Sequence, residues 1–262
     1  RDIQDLHKIM DNPLGLMVAF NQMVNTSTSF KTYLDNLLKI RKIPRPVHYN
    51  EILKDYDRPL DLVLEDAIKS VKEELKEHSF AERAINVMAY LDKNNIPLGD
   101  MLLVFDQDGA LCTTMAIVEC LGRSSLAEVT GEGVVNFNHI VQIALHSCIG
   151  KEKEKMAIDD TWTFLCHYSS KDTRFAKDYK EQLALMPHVE SVLNKNTTQT
   201  VKSLWLMLTL GHLYTQQKCT EEARKLLDRA LNKFEESFFD DAPWLYDQMT
   251  LSQEELKKIC ET

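Results

Sequence analysis

Ser203–Phe234 reads SLWLMLTLGHLYTQQKCTEEARKLLDRALNKF. Two apolar stripes at helical spacing are separated by the polar stretch Gln216–Thr220, which predicts two amphipathic helices joined by a short turn. Small residues stand at Gly211, Ala223 and Ala230, and bulky ones at Leu210, Tyr214 and Leu227. Close-packed helices need that alternation, because small residues let backbones approach and large ones fill the gaps. Thr220, Glu221 and Glu222 suit the positive end of the second helix.

The rest of the chain agrees with a helical fold. It has 262 residues, 44% of them hydrophobic, with only 8 Gly and 7 Pro to supply turns. Leu, Lys, Glu, Ala and Met are good helix formers. The expectation is an all-α protein, with antiparallel helix pairs stacked as an irregular α-solenoid or packed as a helical bundle. Two regions are expected. An N-terminal one covers 1–150, with a break near 44–48 at Pro44-Arg45-Pro46. A C-terminal one covers 151–262, after a charged hinge at Lys151–Lys155.

Within the first region, Leu14–Val24 and Phe30–Ile43 carry helical stripes. A third helix starts at Asp57-Arg58-Pro59 and buries Leu60, Leu64, Ile68, Val71 and Leu75. Phe80–Lys93 reads as the next helix, closed by Asn94-Asn95-Ile96-Pro97, and Asp100–Phe105 as a short helix or strand. Leu111–Leu121 is apolar nearly all round, which marks a central core helix. Ser124–Val135 contains Thr130–Gly133 (TGEG) and reads as a loop; without a GK[ST] ending it is no phosphate loop. Phe137–Ile149 is read as a helix. In the second region a helix over Phe175–Leu193 is interrupted at Pro187.

Several chemistries are excluded or weakened. A formal net charge of -9 argues against binding nucleic acid through a basic surface; the exception to test is the basic stretch Lys39–Arg45. Asp106–Gly109 (DQDG) puts its Gly at the fourth place of a would-be calcium loop, not the sixth, so it reads as a turn. The six Cys lie apart with no CxxC, as buried thiols in a reducing compartment do. His139, His146, Cys148, Cys166 and His167 are the residues of an alternative pocket for a metal or small ligand. Cys166 and His167 are neighbours on a helix and point about 100° apart, so they make no nucleophile–base pair. No catalytic residue, cofactor or metal site is expected, and no apolar run spans a membrane. The chain begins at Arg1 and reads as a piece of a longer intracellular protein, cytoplasmic or nuclear.

Residues 203–234, about an eighth of the chain, resemble a tetratricopeptide repeat. Met207, Leu210-Gly211 and Tyr214 match the first helix of that motif, and Ala223, Leu227 and Ala230 the second. The proline that usually follows is replaced by Glu235, and no second copy stands in register upstream. One repeat cannot bury its own face, so neighbouring helices must cover it. The resemblance implies a non-catalytic scaffold that binds another protein within a larger assembly. It places the contact on the inner face of the first helix, at Leu208, His212, Thr215 and Gln216. No Lys or Asn stands there to clamp a peptide carboxylate. The aromatic segment 238–246 is expected to cap the last helix pair or to offer Phe238, Phe239 and Trp244 to the partner.

Overall fold

The computed structural model describes residues 12–40, 58–78, 80–106, 108–130, 133–169, 179–195, 200–232, 234, 250 and 254. The chain is all-α in class: eleven helices and one small three-stranded sheet lie among these residues. Two compact units divide it. One comprises Arg1–Ala89 with Lys93–Ala157, the other Tyr90–Asp92 with Ile158–Thr262. The break expected near 44–48 lies outside the described residues.

In the first unit, α1 (Pro13–Asn25) starts where Asn12 caps it, its side-chain oxygen accepting the N–H groups of Leu14 and Gly15 at 2.9 and 3.3 Å. Pro13 sits in the first turn, where its missing N–H costs nothing. After α2 (Phe30–Ile40) comes α3 (Arg58–Glu74), the core helix of the unit. Its stripe Leu60, Leu64, Ile68 and Val71 is buried, as is Leu75 just beyond it. Both α1 and α2 pack on α3. Next is α4 (Ala81–Met88), which ends five residues earlier than its sequence pattern suggests. The reason is long-range pairing: Ile96–Pro97 (β1) is drawn out as a strand against Val134–Val135.

The sheet was not legible in the sequence. Ser124–Val135, expected as a loop, contains β2 (Ala127–Val129) and the first half of β3 (Val134–Phe137), which pair as an antiparallel hairpin in a sheet of strand order β1-β3-β2. Gly133 makes its turn in the left-handed region at φ 74°, donating its N–H to the Thr130 carbonyl at 3.0 Å. Phe137 therefore ends a strand, and the following helix α7 begins at His139 and runs to Ser147. Between β1 and β2 lie α5 (Leu98–Phe105) and α6 (Ala110–Arg123), joined by the DQDG turn. Asp106 Oδ1 accepts the Gly109 N–H at 3.1 Å. A Cβ on residue 109 would meet the other carboxylate oxygen, so a substitution there must displace the Asp106 side chain. α5, α6 and the β2–β3 hairpin thus form a helix–turn–helix followed by a hairpin.

Lys151–Lys155, expected as a hinge, forms the first turns of α8 (Lys151–Ser169). Glu152 and Glu154 suit the helix N-terminus, and Lys153 pairs with Glu82 at 2.7 Å.

The second unit holds most of α8, then α9 (Tyr179–Lys195), α10 (Val201–Gln216) and α11 (Thr220–Asn232). α9 runs through Pro187. One backbone hydrogen bond is lost there, but buried Leu185, Met186, Val189, Val192 and Leu193 anchor the helix on both sides. The same helix holds Tyr90–Asp92: Ser191 Oγ donates to the Tyr90 and Leu91 carbonyls, and His188 Nδ1 accepts the Asp92 N–H at 3.1 Å. α10 opens with a reciprocal cap, Thr200 Oγ1 accepting from Ser203 N–H at 3.1 Å and Ser203 Oγ from Thr200 N–H at 3.0 Å. α10 and α11 pack closely as a hairpin, and Ala223, Leu227 and Ala230 are fully buried between them.

Candidate protein-binding surface

The residues marked from the sequence on α10 do not form one open face. Leu208 is buried, His212 and Thr215 are half-buried, and only Gln216 is exposed. Thr215 Oγ1 also turns back to the Gly211 carbonyl at 2.9 Å. α10 packs on α9 as well as α11, so buried residues run most of the way round it. Phe238, Phe239 and Trp244 lie outside the described residues, as do the side chains of Lys39–Arg45.

The residues of the alternative pocket fall in different units. His139, His146 and Cys148 belong to the first unit, Cys166 and His167 to the second. Among the described residues no three His, Cys, Asp or Glu side chains are grouped to hold a metal ion. Burial pushes the Cys148 thiol up to about 11 and those of Cys120 and Cys166 up to about 12; at Cys120 a contact with Glu74 adds to the effect. These thiols stay protonated at neutral pH and are poor nucleophiles there.

Above the ordinary thiol value of 9.0, an unfolded chain releases protons that these buried thiols keep. The stability they hold below that pH is lost as pH rises toward their native values. Tyr33, raised by burial and by Asp66, acts in the same direction. Lys72 and Lys195, lowered by burial, act in the opposite one. The thiols therefore contribute a fall in the urea midpoint between pH 8 and pH 11. Cys166→Ala flattens that fall.

The open apolar surface lies elsewhere, on helices the sequence marks as core. α6 buries Thr113, Ile117, Cys120 and Leu121 but turns Leu111 (76% exposed), Met115 (66%) and Cys112 to solvent. The expectation of a central core helix is corrected: only half of α6 is covered. α1 has no charged residue, and it buries Gly15, Val18, Ala19, Gln22 and Met23. Opposite them, Met17, Phe20 (60%) and Val24 (60%) form an exposed row at 3- and 4-residue spacing. A groove of about 440 Å³ lies beside Met17, bordered by Leu14 and Met17 of α1, Gly122 near the end of α6, and Ser125, Glu128 and Asn136.

A second groove of about 470 Å³ is bordered by Gln22, Lys69, Ser70, Cys120 and Arg123. The Glu74–Arg123 ion pair lies on its rim. Hydrogen bonding to Arg123 holds the Glu74 carboxyl below the usual carboxylate range.

No protein family, curated protein or solved structure matches the chain. Among the described residues no helix is long and apolar enough to cross a membrane.

Proposed function

We propose that this chain is a non-catalytic scaffold that binds another protein, as a helical part of a larger intracellular assembly. The observation that carries the reading is the pair of exposed apolar helix faces on α1 and α6. Apolar side chains left open at helical spacing on a folded surface mark an interaction site. The protonated, scattered thiols support a structural over a catalytic role. The close packing of α10 and α11 is consistent with a scaffold but does not carry the assignment.

The test is retention of partners from cell extract by the immobilised chain. The wild type is compared with Phe20→Asp/Val24→Asp and with Leu111→Asp/Met115→Asp. A protein retained by the wild type and lost from either variant, with melting temperatures unchanged, is the expected result. A wild type that retains nothing, or variants that retain everything, overturns the reading.

A further inference from the structure

A helix–turn–helix followed by a hairpin is an arrangement used to lay its second helix into a DNA groove. In this chain that second helix is α6, and its chemistry is the reverse of what DNA requires. From Asn94 to Gly150 the sequence has one Arg and no Lys, against Asp100, Asp106, Asp108, Glu119, Glu128 and Glu132. The one cation, Arg123, is paired with Glu74 and lies 3.8 Å from Glu119. A phosphate backbone meets only repulsion here.

The same face has what a helix needs. Leu111, Met115, Val118 and Gly122 follow one another at spacings of four, three and four, the seam spacing at which two helices interlock. Leu111 and Met115 stand out as knobs, Val118 is half-buried, and nothing lies within 4 Å of the place a side chain on Gly122 would occupy. Beside the seam, Glu119 is exposed on α6, Asp108 just before it and Glu128 on β2.

We propose that the outer face of α6 docks a cationic amphipathic helix of a partner protein. Leu111 and Met115 enter the apolar stripe of that helix, and Glu119 and Asp108 meet the lysines or arginines beside the stripe. The proposal rests on the protein-binding reading above and names the partner's chemistry.

The probe is a synthetic amphipathic peptide with a leucine stripe flanked by lysines. Its controls are the same peptide with glutamates for lysines and a short DNA duplex, all followed by fluorescence anisotropy with the full chain. Tight binding of the lysine peptide is expected, weakened by salt, with no binding of the glutamate peptide or the duplex. Leu111→Asp and Met115→Asp add negative charge, so a purely electrostatic contact would tighten; a seam contact weakens at least tenfold. An aspartate in the first turn of α6 suits the helix, so Leu111→Asp keeps the fold, checked by circular dichroism. Glu119→Lys weakens the lysine peptide.

Unchanged or tighter binding by both aspartate variants overturns the proposal. So does equal binding of the glutamate peptide, or preference for the duplex. A wild-type dimer that Leu111→Asp dissociates in light scattering also overturns it, by making a second copy the occupant. If extract retention depends on Leu111 while the lysine peptide fails to bind, the protein-binding reading stands and the cationic helix falls.

Discussion

Trp162→Ala lowers the unfolding free energy by about 3–5 kcal/mol, the cost of deleting a large aromatic side chain from a packed core. Among the described residues Trp162 and Phe164 are the bulkiest of the fully buried side chains, two residues apart on α8 within the second unit. Thr161 and Leu165 beside them are equally closed to solvent. With neighbours on every side, the structure collapses only partly into the space the indole leaves. Trp162→Phe gives the control. Among the described residues the indole Nε1–H has no hydrogen-bond partner, so the native protein already bears the penalty of a buried, unused donor. Replacing it by a ring without that donor loses some contact area but removes the penalty, and costs about 1–2 kcal/mol. Urea unfolding followed by far-ultraviolet circular dichroism measures both. A Phe variant as unstable as the Ala variant would show that the donor is in use.

The second large effect lies in the hairpin of α10 and α11. Leu227→Ala opens a cavity against α10 and costs about 2–5 kcal/mol. Gly211 is the reason Leu227 fits. A Cβ on residue 211 would stand 2.9 Å from Leu227 Cδ2 and 3.0 Å from its Cγ, closer than carbon atoms tolerate. In an open helix Gly→Ala gains about 1 kcal/mol from propensity. Here Leu227 is fully buried and cannot swing aside, so overpacking of about 1–3 kcal/mol cancels or exceeds that gain. Gly211→Val is worse, because its branched side chain cannot avoid the same atoms. The double variant Gly211→Ala/Leu227→Ala decides the matter. Its new methyl enters the space Leu227 vacates, so the pair costs less than the two single changes together, by about 0.5–3 kcal/mol. Additive costs would mean that the approach at Gly211 does not govern the pairing.

The two halves of the hairpin differ in how they meet the rest of the chain. α11 buries one narrow stripe, Ala223, Leu227 and Ala230, and exposes Glu221, Glu222, Arg224, Lys225 and Asp228, while half-buried Arg229 donates to the Leu193 carbonyl at 3.2 Å. α10 is covered on two sides, and that coverage leaves Leu208 buried where an open inner face was expected. The open apolar surface is found instead on α1 and α6, where both sides of each helix are apolar and only one is covered.

Local chemistry determined much of this protein. The helical class, the α10–α11 hairpin with its small and large residues, the buried stripe of α3 and the DQDG turn all follow from contacts within a few residues, which periodicity and turn chemistry record. The acidic balance of Asn94–Gly150 is likewise written in the sequence. Tertiary structure alone decided the rest. Ile96–Pro97 becomes a strand only because Val134–Val135 lies beside it, a pairing across nearly forty residues with no local signature. α9 passes through Pro187 because burial on both sides outweighs one lost hydrogen bond. For Leu111–Leu121, an apolar residue reads the same whether it faces a core or solvent. Periodicity shows that a side chain seeks cover; only the packing of neighbouring elements shows whether the chain itself provides it.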